Sequence, residues 1–328
     1  MKMVRFMPEM LAGMNHIMQA AGMHSNVFRP TTIIEPARLG ERLGVKLILA
    51  SEAFQHTGSF KFRAAYNVAS RVPNEMIIGA SSGNFGQGLA YACKLLKKQC
   101  IVVMPATSDP AKVAAVQSHG GKVDTIDVRK ISRAERVAQL AREHPEAYVA
   151  SAYDDPLVIE GNATLGRELA GLSLPVDCFL APVGGGGLTS GLITGLRAGK
   201  CTTPLIGVEP TIANDAARSL REGRIVRNDT EPQTLADGVR TVSVGEHNWA
   251  ILKDGLSGIV EVDEPLIPEA MRLLFNLANV KAEPTGALPI AGLLAAPERF
   301  RGKSVCCVIS GGNVDSALFA GIISGGSH

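Results

Sequence analysis

The sequence predicts an α/β fold in which parallel sheets are flanked by helices. Short apolar runs alternate with stretches at helical spacing along almost the whole chain. The apolar runs are continuous rather than alternating, the pattern of strands covered on both faces. Three of them end in glycine-rich loops, "GASSGNFGQ", "PVGGGGLTSG" and "ISGGNVD". Strand ends of this kind are where open α/β sheets place ligands.

Each element has its own reason. "VKLILAS" at 45–51 is a buried strand, and "KFRAAYNVASRV" runs on from Lys61 at helical spacing. "MIIGA" at 76–80 is a strand that leads through a loop into the helix "GLAYACKLLKK". Strand "CIVVMPA", helix "PAKVAAVQSHG", strand "KVDTIDV", helix "ISRAERVAQLAREH" and strand "AYVAS" follow. Asp154 and Asp155 precede Pro156, which reads as a helix cap with a favourable dipole, the helix running from Leu157. "DCFLAPVG" enters the glycine run and the helix "GLTSGLITGLRAG"; "PLIGVEP", "GIVEVDE" and "SVCCVISGG" complete the strands. No fixed repeat, low-complexity tract or long linker separates these elements, so any domains share a closely packed interface.

Composition narrows the classes. At 328 residues the chain is too long for one small core and reads as one large or two interleaved domains. A net charge of +2 creates no long-range field, so neither nucleic acid nor an anionic membrane is an implied partner. No apolar run reaches spanning length, and the Met-rich start is broken by Pro8 and by charges, unlike a signal peptide or anchor. The six cysteines, Cys93, Cys100, Cys178, Cys201, Cys306 and Cys307, show no metal-binding spacing. Most lie in apolar segments, which predicts reduced core residues in a cytoplasmic protein.

The loops carry the chemistry. Gly184, Gly185, Gly186 and Gly187 end a buried strand and open a helix, so their N–H groups can converge on a phosphate at the positive helix end. No Lys-Ser/Thr pair follows, which excludes a Walker loop, and the spacing for a dinucleotide site is incomplete. The loop holding Ser81, Ser82, Asn84 and Gln87 offers hydroxyl and amide donors beside a helix start, suited to a carboxylate or a phenolic oxygen; capping by either serine is compatible with this. Ser310 ends a buried strand, where a cap is its ordinary role. Lys61 stands between two phenylalanines after a Thr-Gly-Ser turn. An amine in a dry pocket loses proton affinity and can condense with an aldehyde. A phosphorylated aldehyde cofactor unites these features, and pyridoxal phosphate is one.

The motifs "TGSFKFRAA", "SSGNFGQGLAYA", "PVGGGGLTSGL", "VEPTIANDA", "LADGV", "EPTGA" and "SGGNVD" resemble those of the fold-type II pyridoxal-phosphate enzymes, in the same order over about residues 25–320. The nearest branch is that of the serine/threonine dehydratases and serine racemases. The resemblance implies a large cofactor-binding domain of residues 1–75 and 152–328 and a small mobile domain of residues 76–151, with the cofactor between them. It also implies Lys61 as the Schiff-base lysine, Phe60 beside the ring and Asn84 at the phenolic oxygen. Gly184 to Leu188 would surround the phosphate, and Ser310 would face the ring nitrogen. Ser81, Ser82, Asn84 and Gln87 would surround the substrate carboxylate. Relatives hold a divalent cation at positions matching Glu209, Ala213 and Asp215, oxygen ligands that suit Mg²⁺ or Ca²⁺; an acid-rich helix start accounts for the same residues.

The implied activity is a dehydratase, or ammonia-lyase, that eliminates water from L-threonine, L-serine or a related 3-hydroxy amino acid to give a 2-oxo acid and ammonia. A racemase on the same scaffold needs a second base, for which Ser82 is the match. A non-catalytic pyridoxal-phosphate-binding protein would have no need of Lys61 together with the complete site. Phe85, Ala64, Glu160, Asn162 and Ala163 depart from the usual family motifs, as does "LADGVRTVSVG", and these departures bear on the substrate rather than the cofactor. A homodimer is the family's habit, and the short segment after "SGGNVD" predicts no isoleucine feedback.

Overall fold

The computed structural model describes residues 27–81, 83–108 and 110–325. The Met-rich start and Ser82 lie outside them. One sheet takes β1 (Thr32–Ile34), β2 (Lys46–Ser51), β7 (Cys178–Pro182), β8 (Leu205–Pro210), β9 (Leu256–Val262) and β10 (Ser304–Ile309), in the spatial order β1-β2-β10-β7-β8-β9. The other takes β3 (Met76–Ala80), β4 (Gln99–Pro105), β5 (Lys122–Ile126) and β6 (Tyr148–Ala150), in the order β5-β4-β3-β6. All pairings are parallel except β1 with β2, which is antiparallel. That pairing departs from an all-parallel expectation: three residues at an edge can turn back on β2 without a crossover helix.

The helices, in chain order, are α1 (Ala37–Leu43), α2 (Lys61–Arg71), α3 (Asn84–Leu95), α4 (Pro110–Ser118), α5 (Arg133–Glu143), α6 (Pro156–Ala170) and α7 (Gly187–Ala198). They continue with α8 (Asp215–Glu222), α9 (Glu246–Gly255), α10 (Leu266–Ala278), α11 (Pro284–Ala295), α12 (Pro297–Phe300) and α13 (Ser316–Ile323). Strand alternation distributes the first sheet's core between its two faces. Leu49, Leu180, Val208, Cys307 and Ile309 pack towards α10 and α11. Ile48, Ala50, Phe179, Ala181 and Val308 pack towards α6 and α7. Helices α6 and α7 approach closely because Gly195 has no side chain: a Cβ there would lie 2.2 Å from the Ala163 carbonyl oxygen.

Helix α2, although it precedes residue 75, packs with the second sheet. Phe62, Ala65, Val68 and Ala69 share a core with Ile77, Phe85, Leu89, Val102 and Met104. Leu140 of α5 joins Ile78, Ile101 and Val103 on the opposite face. The two aspartates before Pro156 divide their work. Asp155 accepts from Leu157 N at 2.7 Å and caps α6, while Asp154 accepts from the N–H groups of Glu246 and His247, both at 3.0 Å, at the start of α9.

Candidate active site

Lys61 is placed by a turn laced to the end of β10. Thr57 and Gly58 adopt left-handed φ values of 63° and 73°. A side chain on Gly58 would collide with Asn313, whose Oδ1 would lie 2.3 Å from the new Cβ. Phe60 N donates to Ser310 O at 3.0 Å and Gly312 N donates to Gly58 O at 3.0 Å. These bonds fix the first residue of α2 beside the strand end that carries Ser310. Lys61 Nζ donates to Ala152 O at 2.8 Å and lies 5.2 Å from the Phe60 ring and 5.8 Å from the Phe85 ring. Burial lowers its pKa to about 8, with Glu283 acting in the opposite direction.

Asn84 opens α3 and bonds to residues that precede α11 and α13. Its Nδ2 donates to both carboxyl oxygens of Glu283, at 2.9 and 3.0 Å, and its Oδ1 accepts from Asn313 Nδ2 at 2.8 Å. Ser310 is buried and its hydroxyl has no hydrogen-bond partner, so it is not a helix cap. A buried hydroxyl without a partner costs about 1–3 kcal/mol, which a hydrogen bond to a ligand atom would offset.

The Gly184–Gly187 segment joins β7 to α7, with Gly186 at a left-handed φ of 93°. Tyr153 packs over it: a Cβ on Gly185 would lie 2.2 Å from the Tyr153 ring and one on Gly187 would lie 2.9 Å from Tyr153 O. Asn248 Nδ2 donates to Gly185 O at 2.8 Å, and Asn162 Nδ2 donates to Gly187 O at 2.9 Å. Their carbonyls are thus held while the glycine N–H groups donate to no carbonyl among the described residues. Leu188 is buried in one core cluster with Phe60. The neighbouring residues Ala152 and Tyr153 connect the lysine to the glycine segment. A free anion cradle, a partnerless strand-end hydroxyl and a buried amine of lowered proton affinity fit the phosphate, ring nitrogen and aldehyde of pyridoxal phosphate.

Ser81 and Gln87 flank Asn84. Ser81 Oγ accepts from Gly83 N at 3.2 Å, and Gln87 is buried. Ser82, in the same loop, lies outside the described residues. His56 stands against the Phe62 and Tyr91 rings, with burial first and Arg29 second lowering its pKa, an aromatic-cluster residue.

Glu209, Ala213 and Asp215 gather at the end of β8. All three are buried. Glu209 Oε1 accepts from Ala217 N at 2.6 Å and Asp215 Oδ1 from Asn228 Nδ2 at 3.1 Å, while Glu209 Oε2 and Asp215 Oδ2 have no partner. Burial raises the pKa of Glu209 well above the usual range and that of Asp215 to about 6. Two partnerless buried carboxylate oxygens fit a hard divalent cation. Among the described residues no group of three or more His, Cys, Asp or Glu side chains forms a metal cluster, so a backbone carbonyl and water would have to complete any shell.

Sequence reasoning missed Glu283 and Asn313. Asn313 lies within "SGGNVD" and Glu283 within "EPTGA", but neither pattern shows that both converge on Asn84, 229 and 199 residues away.

Comparison with known proteins accords with this geometry. Residues 24–311 match the family described as pyridoxal-phosphate dependent enzyme. The chain is 34% identical to an L-threo-3-hydroxyaspartate ammonia-lyase of Pseudomonas sp, over 96% of this chain and 99% of that protein. It is 34% identical to the serine racemase of Homo sapiens, over 87% of this chain and 86% of that one. Among solved structures it resembles a threonine deaminase of T.th., with a TM-score of 0.86 and 40% identity, over 93% of this chain and 98% of that one. With its fold, its glycine cradle and these likenesses in agreement, the chain belongs to the family of pyridoxal-phosphate dependent enzymes.

Proposed function

We propose that this enzyme is an ammonia-lyase that eliminates water from a 3-hydroxy amino acid, the class that includes serine, threonine and 3-hydroxyaspartate. The observation that carries the reading is the buried Lys61 amine, bonded to Ala152 O beside the Tyr153 that packs on Gly185 and Gly187, on a turn bonded to the strand end of the partnerless Ser310 hydroxyl. The hydroxyaspartate and threonine ammonia-lyases among its relatives support the reaction class.

Bound pyridoxal phosphate supplies an electron sink that acidifies the α-proton of an amino acid. In this reading the N–H groups of Gly184 to Leu188 hold the phosphate, Phe60 packs beside the ring, Asn84 serves the phenolic oxygen and Ser310 faces the ring nitrogen. A neutral hydroxyl there does not keep a proton on the ring as a carboxylate would. Lys61 would hold the aldehyde carbon of the cofactor, and its free amine would remove the α-proton and hold it at Nζ. Its lowered proton affinity suits a base working near neutral pH. Ser81, Ser82, Asn84 and Gln87 orient the substrate carboxylate at the start of α3, where the helix dipole favours an anion. The proton taken from the α-carbon balances the one the β-hydroxyl takes up to leave as water, and the enamine so released is hydrolysed by water to the 2-oxo acid and ammonia.

Mg²⁺ or Ca²⁺ at Glu209, the Ala213 carbonyl and Asp215 belongs to the same reading, as does the two-domain division at residues 76–151 with closure over the substrate. So does a cytoplasmic homodimer. Six free cysteines, five of them buried, accord with a reducing compartment. No helix among the described residues is long and apolar enough to cross a membrane.

The test is Lys61→Ala combined with a keto-acid release screen over 3-hydroxy amino acids. Turnover should fall by several orders of magnitude, as expected when a covalent group and a base are lost together. Pyridoxal phosphate should still bind through the glycine cradle but without the absorbance of the lysine-bound form. Near-parental turnover in the variant would end this reading. Chiral analysis of unconsumed amino acid separates elimination from racemisation.

A further inference from the structure

Consecutive glycines from Gly184 to Gly187 make a backbone that no side chain of its own stiffens. The direction of each peptide group is set by what binds it. In a planar trans peptide the C=O of one residue and the N–H of the next point in opposite directions, and no cis bond occurs among the described residues. Holding a carbonyl of this segment therefore aims the N–H that follows it. Gly186 O is held locally, by Ser190 N at 2.8 Å and Thr189 Oγ1 at 3.1 Å in the first turn of α7, which aims the Gly187 N–H. The carbonyls on either side are held from elsewhere in the chain. Gly185 O accepts from Gly245 N at 3.0 Å and from Asn248 Nδ2 of α9 at 2.8 Å, which aims the Gly186 N–H. Gly187 O accepts from Asn162 Nδ2 of α6 at 2.9 Å, which aims the Leu188 N–H.

The two asparagines share an unusual state. Asn248 is completely buried and Asn162 is 1% exposed. Asn248 Nδ2 also donates to Tyr153 O at 3.0 Å, so both of its hydrogens are used, while Asn162 Nδ2 serves Gly187 O. In both residues Oδ1 is buried and has no partner among the described residues. An unpaired buried acceptor keeps its desolvation cost, which an amide serving packing alone has no reason to carry. Turning either amide over would set Oδ1 against a carbonyl oxygen, so the carbonyls dictate which end faces them. Residues on two different helices thus leave an acceptor unpaired while each places a donor on the glycine segment.

We infer that Asn162 and Asn248 are positioning residues for the phosphate: by holding Gly187 O and Gly185 O they aim the N–H groups of Leu188 and Gly186 at it. The inference rests on the reading of Gly184 to Leu188 as the phosphate site. Both residues act through the backbone, and neither is bonded to Lys61, whose amine donates to Ala152 O. Their contribution therefore belongs to the phosphate and not to the aldehyde.

The experiment uses full-length protein stripped of cofactor, in phosphate-free buffer. Equilibrium dialysis gives the dissociation constants of pyridoxal phosphate and of pyridoxal, which has the same ring and aldehyde without the phosphate. Their ratio isolates what the phosphate contributes. The parent should prefer the phosphorylated ligand by about a hundredfold or more, the scale of several hydrogen bonds to a charged group. Asn162→Leu, similar in shape, removes the donor together with the unpaired Oδ1. It should lower that preference about tenfold, the scale of one well-placed hydrogen bond, with pyridoxal bound as by the parent. Asn248→Leu should do the same, and Asn162→Ala repeats the test should neither Leu variant fold. A parental preference in the variants overturns the inference. So does an equal weakening of both ligands, which is the mark of a merely structural role. A parent without preference for the phosphorylated ligand removes the phosphate from the glycine segment, and the inference then falls with that reading.

Discussion

Replacing Arg63 with Met tests what holds the Lys61 turn in place. Arg63 lies one half-turn beyond Lys61 on α2, and its side chain is completely buried. Its Nε and Nη2 bind the two oxygens of Glu52 at 2.7 and 2.9 Å. Its Nη1 binds Glu168 at 2.6 Å and Thr164 at 3.1 Å, and Nη2 also donates to Thr31 at 3.0 Å. Burial alone would lower the guanidinium's proton affinity, but Glu52 and then Glu168 outweigh it and the net shift is upward. Methionine fills most of the volume but leaves the fully buried Glu52 carboxylate with only the Thr31 hydroxyl at 2.8 Å. Removing one partner of a buried ion pair costs about 3–5 kcal/mol, far more than the pair is worth against apolar replacements. Glu168 contributes less to that cost because its side chain is 36% exposed and water can replace the arginine. Denaturant unfolding of apoprotein should therefore show a loss of about 3–5 kcal/mol at unchanged slope. The double substitution Glu52→Gln/Arg63→Met should recover about half of that loss or more, since it discharges the stranded carboxylate. A single-variant loss below about 1 kcal/mol, the level of a surface pair, would refute the argument. So would a double variant as unstable as the sum of its parts.

Two further outcomes are expected. Gly186→Ala places a Cβ 2.8 Å from Leu252 and 2.9 Å from Asn248 at a left-handed φ of 93°. The backbone strain alone is about 1–2 kcal/mol, so equilibrium dialysis should show pyridoxal phosphate bound about tenfold or more weakly. Unaltered affinity would remove this turn from the phosphate site. Protein stripped with a chelator should regain stability with Mg²⁺ or Ca²⁺, by about 2.7 kcal/mol at a hundredfold excess over the dissociation constant. Asp215→Asn should abolish that response, and an equal gain in parent and variant would place the ion elsewhere.

Local pattern in this sequence was sufficient for much of the fold. The strands of 45–51, 76–80 and 304–309 are nearly continuous apolar runs because both of their faces are covered, and burial leaves its mark on all but their end residues. The four glycines after β7 were legible because a close backbone approach excludes side chains at each position, and the structure shows a collision for a Cβ at all four. Helix α11 was harder to read. Its residues are apolar on every side and include Pro289, so no 3.6-residue alternation distinguishes it from a strand or loop. Edge strand β1 is three residues long, too short to show any period.

Charge placement lay beyond the reach of local pattern. Nothing in "KFRAA" shows that Arg63 meets Glu52, Thr164 and Glu168 in the interior. Glu283 stands within "EPTGA", and only the fold sets it against Asn84. Sequence by itself determined which groups exist and which backbone most segments adopt, because those preferences act between neighbours a few residues apart. Tertiary structure decided which charges share a dry pocket and thus where their protons reside, because Coulomb and desolvation energies depend on distance and burial in space, and neither is written in chain separation.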